Sequence, residues 1–110
     1  MDHRLQDDIS LELARRVTAR LRSSPELLSV ARKNLARWAR LNADAPSLLR
    51  CYAEWRDILE RPMEEICQVL CAENDEGQRL RQNSPFAGIL SPAEVWEVKS
   101  RSRRHATTPA

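Results

Sequence analysis

The stretch Leu5-Gln6-Asp7-Asp8-Ile9-Ser10-Leu11-Glu12-Leu13-Ala14-Arg15-Arg16-Val17-Thr18-Ala19-Arg20-Leu21 decides the fold class. Leu5, Ile9, Leu13, Val17 and Leu21 recur every fourth residue, which on a helix makes one slowly drifting apolar stripe with Arg15, Arg16 and Arg20 mostly off it. The rest of the chain agrees. Two glycines, one Phe and one Tyr in 110 residues, beside abundant Leu, Ala, Arg and Glu, favour helix and leave little from which to build strands. The chain is large enough for one modest core and too small for two. We therefore expect an all-α fold, a compact bundle of five to six short helices forming one domain over residues 1–104, with a mobile basic tail over 105–110.

Helix boundaries follow from punctuation. Ser23-Ser24-Pro25-Glu26 stops the first helix and starts the second, with Ser24 as cap, Pro25 in the first turn and Glu26 at the positive helix end. The second helix runs to about Leu41 and should bury Leu27 or Leu28, Ala31, Leu35 and Trp38. Residues 42–46 read as a loop. A third helix carries Leu48, Tyr52, Trp55, Ile58 and Leu59 and ends at Arg61-Pro62. Pro62 can open a fourth, with Met63, Ile66, Val69 and Leu70 inward and Glu64, Glu65 and Glu73 wet. Residues 73–77 read as a break, followed by a short helical turn through Gln82. Ser91-Pro92-Ala93-Glu94 then starts a last helix, from Pro92 to about Arg103, with Ser91 as cap and Glu94 able to reach back to its amide.

Chemistry is sparse. Three cysteines, Cys51, Cys67 and Cys71, make no disulfide framework, and no charged-then-apolar leader precedes the first helix, so a reduced, cytoplasmic protein is expected. No apolar run approaches the roughly 20 residues of a membrane span. With His105 the cysteines offer four soft ligands, but none of the paired short spacings of a zinc knuckle, and ordinary packed thiols are the expectation. Neither His3 nor His105 has an acid placed by spacing to orient it. The pairs Asp7-Asp8, Glu64-Glu65 and Asp75-Glu76 point about 100° apart on a helix and read as solvated faces. We expect no enzyme activity, no metal or other cofactor, and no small-molecule substrate.

Binding is better represented. Residues 1–40 hold nine Lys/Arg against five Asp/Glu, residues 41–78 three against nine, and residues 79–110 six against two, so basic ends flank an acidic middle. Such fields can dock on each other or present two faces to a partner. Arg32, Lys33, Asn34, Arg37 and Arg40 on the second helix, with Arg101, Arg103 and Arg104 near the end, are residue types that meet phosphate and read bases, a possible DNA interface. Arginine also solvates ordinary helices, and no sharp Gly-containing turn of a helix-turn-helix accompanies them. Arg79, Arg81, Gln82, Phe86 and Trp96 mix charged forks, an amide and aromatic bodies in the manner of a protein-binding centre. In the plainer reading, Leu80, Phe86, Ile89 and Leu90 fold a loop onto the core, with Trp96 and Val95 anchoring the last helix.

Three runs carry a further likeness. Asn34-Leu35-Ala36-Arg37-Trp38, residues 54–59 (Glu-Trp-Arg-Asp-Ile-Leu) and residues 79–94 (Arg-Leu-Arg-Gln-Asn-Ser-Pro-Phe-Ala-Gly-Ile-Leu-Ser-Pro-Ala-Glu) resemble a family of small helical bacterial proteins encoded just upstream of nucleotidyltransferase-like proteins. The resemblance spans about residues 10–98 and leaves out the basic tail. Such gene pairs resemble toxin–antitoxin modules. The resemblance implies an antitoxin-like chain that acts by stoichiometric contact with a nucleotidyltransferase-type toxin, the activity residing in the companion; the alternative is a DNA-binding regulator using the second helix and the C-terminal arginines. It transfers a role and no catalytic residue.

Overall fold

The computed structural model describes residues 3–107, with side chains from Arg4 to Arg103. Six α-helices and no strand occur among the described residues: α1 (His3–Ser23), α2 (Leu28–Leu41), α3 (Pro46–Ile58), α4 (Met63–Leu70), α5 (Asp75–Arg81) and α6 (Pro92–Thr107). The all-α expectation holds. Val17 and Leu21 of the four-residue stripe, with Ala14 beside it, enter the core, and α1 touches α4, α5 and α6. It is the spine of the bundle. A 3₁₀ turn, Pro25–Leu27, leads from α1 into α2, which pairs with α3 through a short loop, and α3 in turn meets α4.

The core is one cluster. Leu21, Ala31, Trp55 and Ile66 are wholly enclosed, with Leu35, Leu59 and Leu70 close behind. Trp55 sits at its centre, its ring 5.7 Å from that of Phe86 and nearly perpendicular to it at 87°. That edge-to-face arrangement suits the aromatic quadrupole. Its indole N–H, which burial would otherwise orphan, donates to the Leu80 carbonyl at 3.0 Å.

Several boundaries differ from the sequence expectation, each for a local reason. Ser24 makes no side-chain cap bond, because the chain enters α2 through the 3₁₀ turn, whose Leu27 N–H bonds the Ser24 carbonyl at 3.0 Å. Pro62 stands one residue before α4 rather than inside it. The expected break at 73–77 is shorter: Asn74 caps α5, its side-chain oxygen accepting from the Gly77 N–H at 2.8 Å. Ser91 does cap α6, accepting from the Glu94 N–H at 3.1 Å. Glu94 does not reach back, however. Its carboxylate accepts from Arg16 at 3.3 Å and Arg20 at 2.6 Å, which fastens the start of α6 to α1. The last helix continues past Arg103 to Thr107, into the expected tail, while residues 108–110 lie outside the described ones.

Candidate functional site

The Arg79–Trp96 segment is buried at Leu80, Arg81, Pro85, Phe86 and Leu90, and its internal contacts correct the sequence reading at Arg79, Arg81 and Phe86. Arg79 is held by Glu54 at 2.7 and 3.1 Å and by Glu76 at 2.7 and 3.0 Å. Those hydrogen bonds raise the guanidinium pKa and hold the Glu54 and Glu76 carboxyls below their usual range. Its fork is occupied internally. Arg81 is 8% exposed and serves the scaffold: Nε donates to Ser10 Oγ at 3.1 Å, and Nη1 to the carbonyls of Leu70 at 3.1 Å and Ala72 at 2.7 Å. It thereby satisfies carbonyls that the end of α4 would leave bare. Phe86, expected as a wedge for a partner, is 4% exposed and already packed on Trp55. The plainer reading of the loop holds for Leu80, Phe86 and Leu90, which are buried, and not for Trp96, which is exposed rather than an anchor of the last helix.

Asn34 is the second correction. Expected as a base-reading residue, it is buried, and its amide nitrogen donates to the Pro85 and Ala87 carbonyls, each at 2.9 Å. Its oxygen accepts from Arg37 at 2.9 Å. One side chain thus pins the 84–90 turn to α2. The signal was legible: Asn34 lies three after Ala31 and four before Trp38, on the inward stripe rather than the basic face. Residues 34–38, 54–59 and 79–94 meet here, with Asn34 on Pro85 and Ala87, Trp55 on Phe86 and Leu80, and Glu54 on Arg79.

What remains outside is informative. Gln82 is exposed, and Trp96 on α6 is 70% exposed, while Trp55 is enclosed and Trp38 is half-buried against Tyr52. By helical spacing Trp96 shares a face with Ala93, Lys99 and Arg103, all exposed. Arg101 pairs with Glu97 on the same helix, and the Arg104 side chain lies outside the described residues. The basic ends and acidic middle meet within the monomer at Arg22–Glu64, 3.1 Å, and Arg79–Glu54, 2.7 Å. The second helix escapes this neutralisation. Arg32, Lys33, Arg37 and Arg40 are exposed, and none pairs with a carboxylate of the described residues; Arg32 reaches only the Leu59 carbonyl, at 3.4 Å.

Between α1 and the 84–90 turn runs a mostly apolar groove of about 230 Å³, lined by Leu13, Val17, Phe86, Leu90 and Val95 with Arg81 and Ser10 among its walls. Sequence reasoning missed it, because it depends on how the turn is hung across α1. The thiols are all free, and burial pushes the Cys67 thiol up, away from reactivity. Among the described residues no group of three His, Cys, Asp or Glu is placed to hold a metal, and no helix is long and apolar enough to cross a membrane. Neither a protein-family model, nor a characterised protein, nor a solved structure matches the chain.

Proposed function

We propose that the chain is a non-enzymatic protein-binding module, the antitoxin-like partner of a nucleotidyltransferase-type protein, and that the outer face of α6 around Trp96 makes the contact. The observation that carries this reading is the 70% exposure of Trp96. A large ring left in water by a chain that encloses Tyr52, Trp55 and Phe86 and half-buries Trp38 is a ready anchor, and tryptophan is among the residues that dominate interface energetics. Lys99 and Arg103 beside it give that face a basic edge suited to a carboxylate-bearing partner. Relative to the sequence expectation the contact set contracts to Trp96 and Gln82, since Arg79, Arg81 and Phe86 are engaged internally.

The test is co-purification and titration with the companion nucleotidyltransferase-like protein. Trp96→Ala is expected to weaken the complex by roughly 30-fold or more, the scale of a hot spot, while leaving the melting temperature of the isolated chain nearly unchanged. Wild-type affinity in that variant removes the α6 assignment; no complex with the wild-type chain removes the partner reading.

A second reading has one observation in its favour, the four α2 cations without carboxylate partners. They form a phosphate-contacting face, and with Asn34 turned inward it lacks the expected adenine reader. Four phosphate contacts predict roughly a hundredfold loss of DNA affinity between about 50 and 200 mM salt, measured by gel shift, and a smaller slope for a Lys33→Gln/Arg40→Gln double variant. No retardation at the lower salt excludes it.

A further inference from the structure

We propose that the groove between α1 and the 84–90 turn binds a small carboxylate with an apolar body, and that Arg81 holds the carboxylate. The inference is independent of the partner reading and rests on other residues. Arg81 is a permanent cation taken more than nine-tenths out of water. Burying such a charge is costly unless it is paired. Yet no carboxylate among the described residues forms an ion pair with it, and its three bonds go to neutral oxygens of Ser10, Leu70 and Ala72.

Those bonds use Nε and Nη1. Nη2 donates to no acceptor of the described residues, and it is not sealed in, since no buried side-chain nitrogen or oxygen among them lacks a partner. Arg81 is also part of the groove wall, and the groove is the open space to which the proposal assigns that donor. A water there can accept a hydrogen bond but cannot neutralise the charge. A carboxylate does both.

The remaining walls select the body of the ligand. Leu13, Val17, Phe86, Leu90 and Val95 offer hydrocarbon and ring surface that water wets poorly. The volume of about 230 Å³ equals the space of about eight waters, below the range of a drug-sized site. It suits a short-chain or arylalkyl acid, such as octanoate, rather than a long lipid. The walls are set before any ligand arrives: Asn34 fixes the turn on one side, and Glu94 with Arg16 and Arg20 fixes α6 to α1 on the other.

The experiment titrates the full chain with sodium octanoate and, separately, with 1-octanol, following backbone amide chemical shifts. Octanoate is expected to bind saturably with shifts centred on Leu13, Ala87 and Val95, and the alcohol at least about tenfold more weakly, the loss of one charge-assisted hydrogen bond. Arg81 is a poor variant because it also satisfies the end of α4. Ala14→Leu, which pushes a side chain into the groove from α1, is expected to weaken octanoate binding by about tenfold or more. No saturable shift with octanoate, equal affinity for the alcohol, or shifts scattered away from the groove overturns the proposal, as does a folded Ala14→Leu variant that binds octanoate undiminished.

Discussion

Trp55→Ala is expected to remove about 3–5 kcal/mol of stability, a large share of what a domain of this size has to lose. The cost has three parts. The indole is fully enclosed, so truncation opens a cavity where Leu59, Ile66 and Phe86 now share one cluster. The edge contact to Phe86 disappears, and with it the seat of the 84–90 turn. The Leu80 carbonyl, now 3.0 Å from the indole nitrogen, loses its donor. Urea unfolding followed by helical circular dichroism measures this. With a slope of about 1–1.5 kcal/mol/M, the midpoint should fall by roughly 2–5 M. Trp55→Phe keeps most of the volume but not the N–H and should cost about 1–2 kcal/mol. A midpoint for the alanine variant within about 0.5 M of wild type contradicts the enclosure of this residue.

Trp55 also shows how far the sequence could be read. Its place on the third helix's apolar stripe was legible, and so was that of Leu21, Leu35 and Ile66, because burial on a helix repeats with a short period that survives in one chain. Arg81 and Phe86 were legible as conspicuous residues but not as internal ones, and Asn34 was read by its residue type onto the basic face although its spacing from Ala31 and Trp38 put it on the inward stripe. Asn34 and Arg81 each donate to oxygens far along the chain, Asn34 across 51 and 53 residues and Arg81 to Ser10 across 71. A long-range polar contact has no period. Its residue types match those of a binding centre, since both tasks require amide and guanidinium donors aimed at oxygens. Only geometry separates a donor spent within the chain from one kept for a partner.

That distinction reorganises the surface chemistry as well. Arg79 and Arg22 belong to the basic ends, yet each meets a glutamate of the acidic middle. These exposed pairs are worth little individually, but they leave α2 as a basic face without carboxylate partners among the described residues. Trp96 was legible in sequence as an aromatic near the end of the segment, and nothing in its spacing alone distinguished it from Phe86. On α6 it falls opposite Val98, which is 2% exposed. The segment first read as one contact surface is therefore two things: a turn that completes the scaffold, and the start of a helix that exposes Trp96.

Gly77→Ala is expected to destabilise the chain by about 2–3 kcal/mol, reversing the usual sign of that change within a helix. By propensity alone, alanine gains up to about 1 kcal/mol over glycine, and Gly77 lies inside α5 with an ordinary negative φ. Packing decides otherwise. A Cβ at this position falls 2.1 Å from the Ala72 carbonyl oxygen and 2.8 Å from its carbon, which are backbone atoms that no rotamer change can move aside. The Ala72 carbonyl is also one of the acceptors of Arg81. Relieving the clash must therefore tilt α5 away from the end of α4, stretch the 2.7 Å bond from Arg81, and loosen the Asn74 cap on the Gly77 N–H. Gly88 makes the contrast: a Cβ there meets nothing within 4 Å, and the glycine is required by its φ of 94° instead. Replacing it should cost nearer 1–2 kcal/mol. Thermal melts of the two variants measure the difference. At about 4–8 °C per kcal/mol for a domain near this size, Gly77→Ala should lower the midpoint by roughly 10–20 °C. A midpoint unchanged or raised means that α5 does not seat against Ala72, and that the anchorage of Arg81 at the end of α4 is wrong with it.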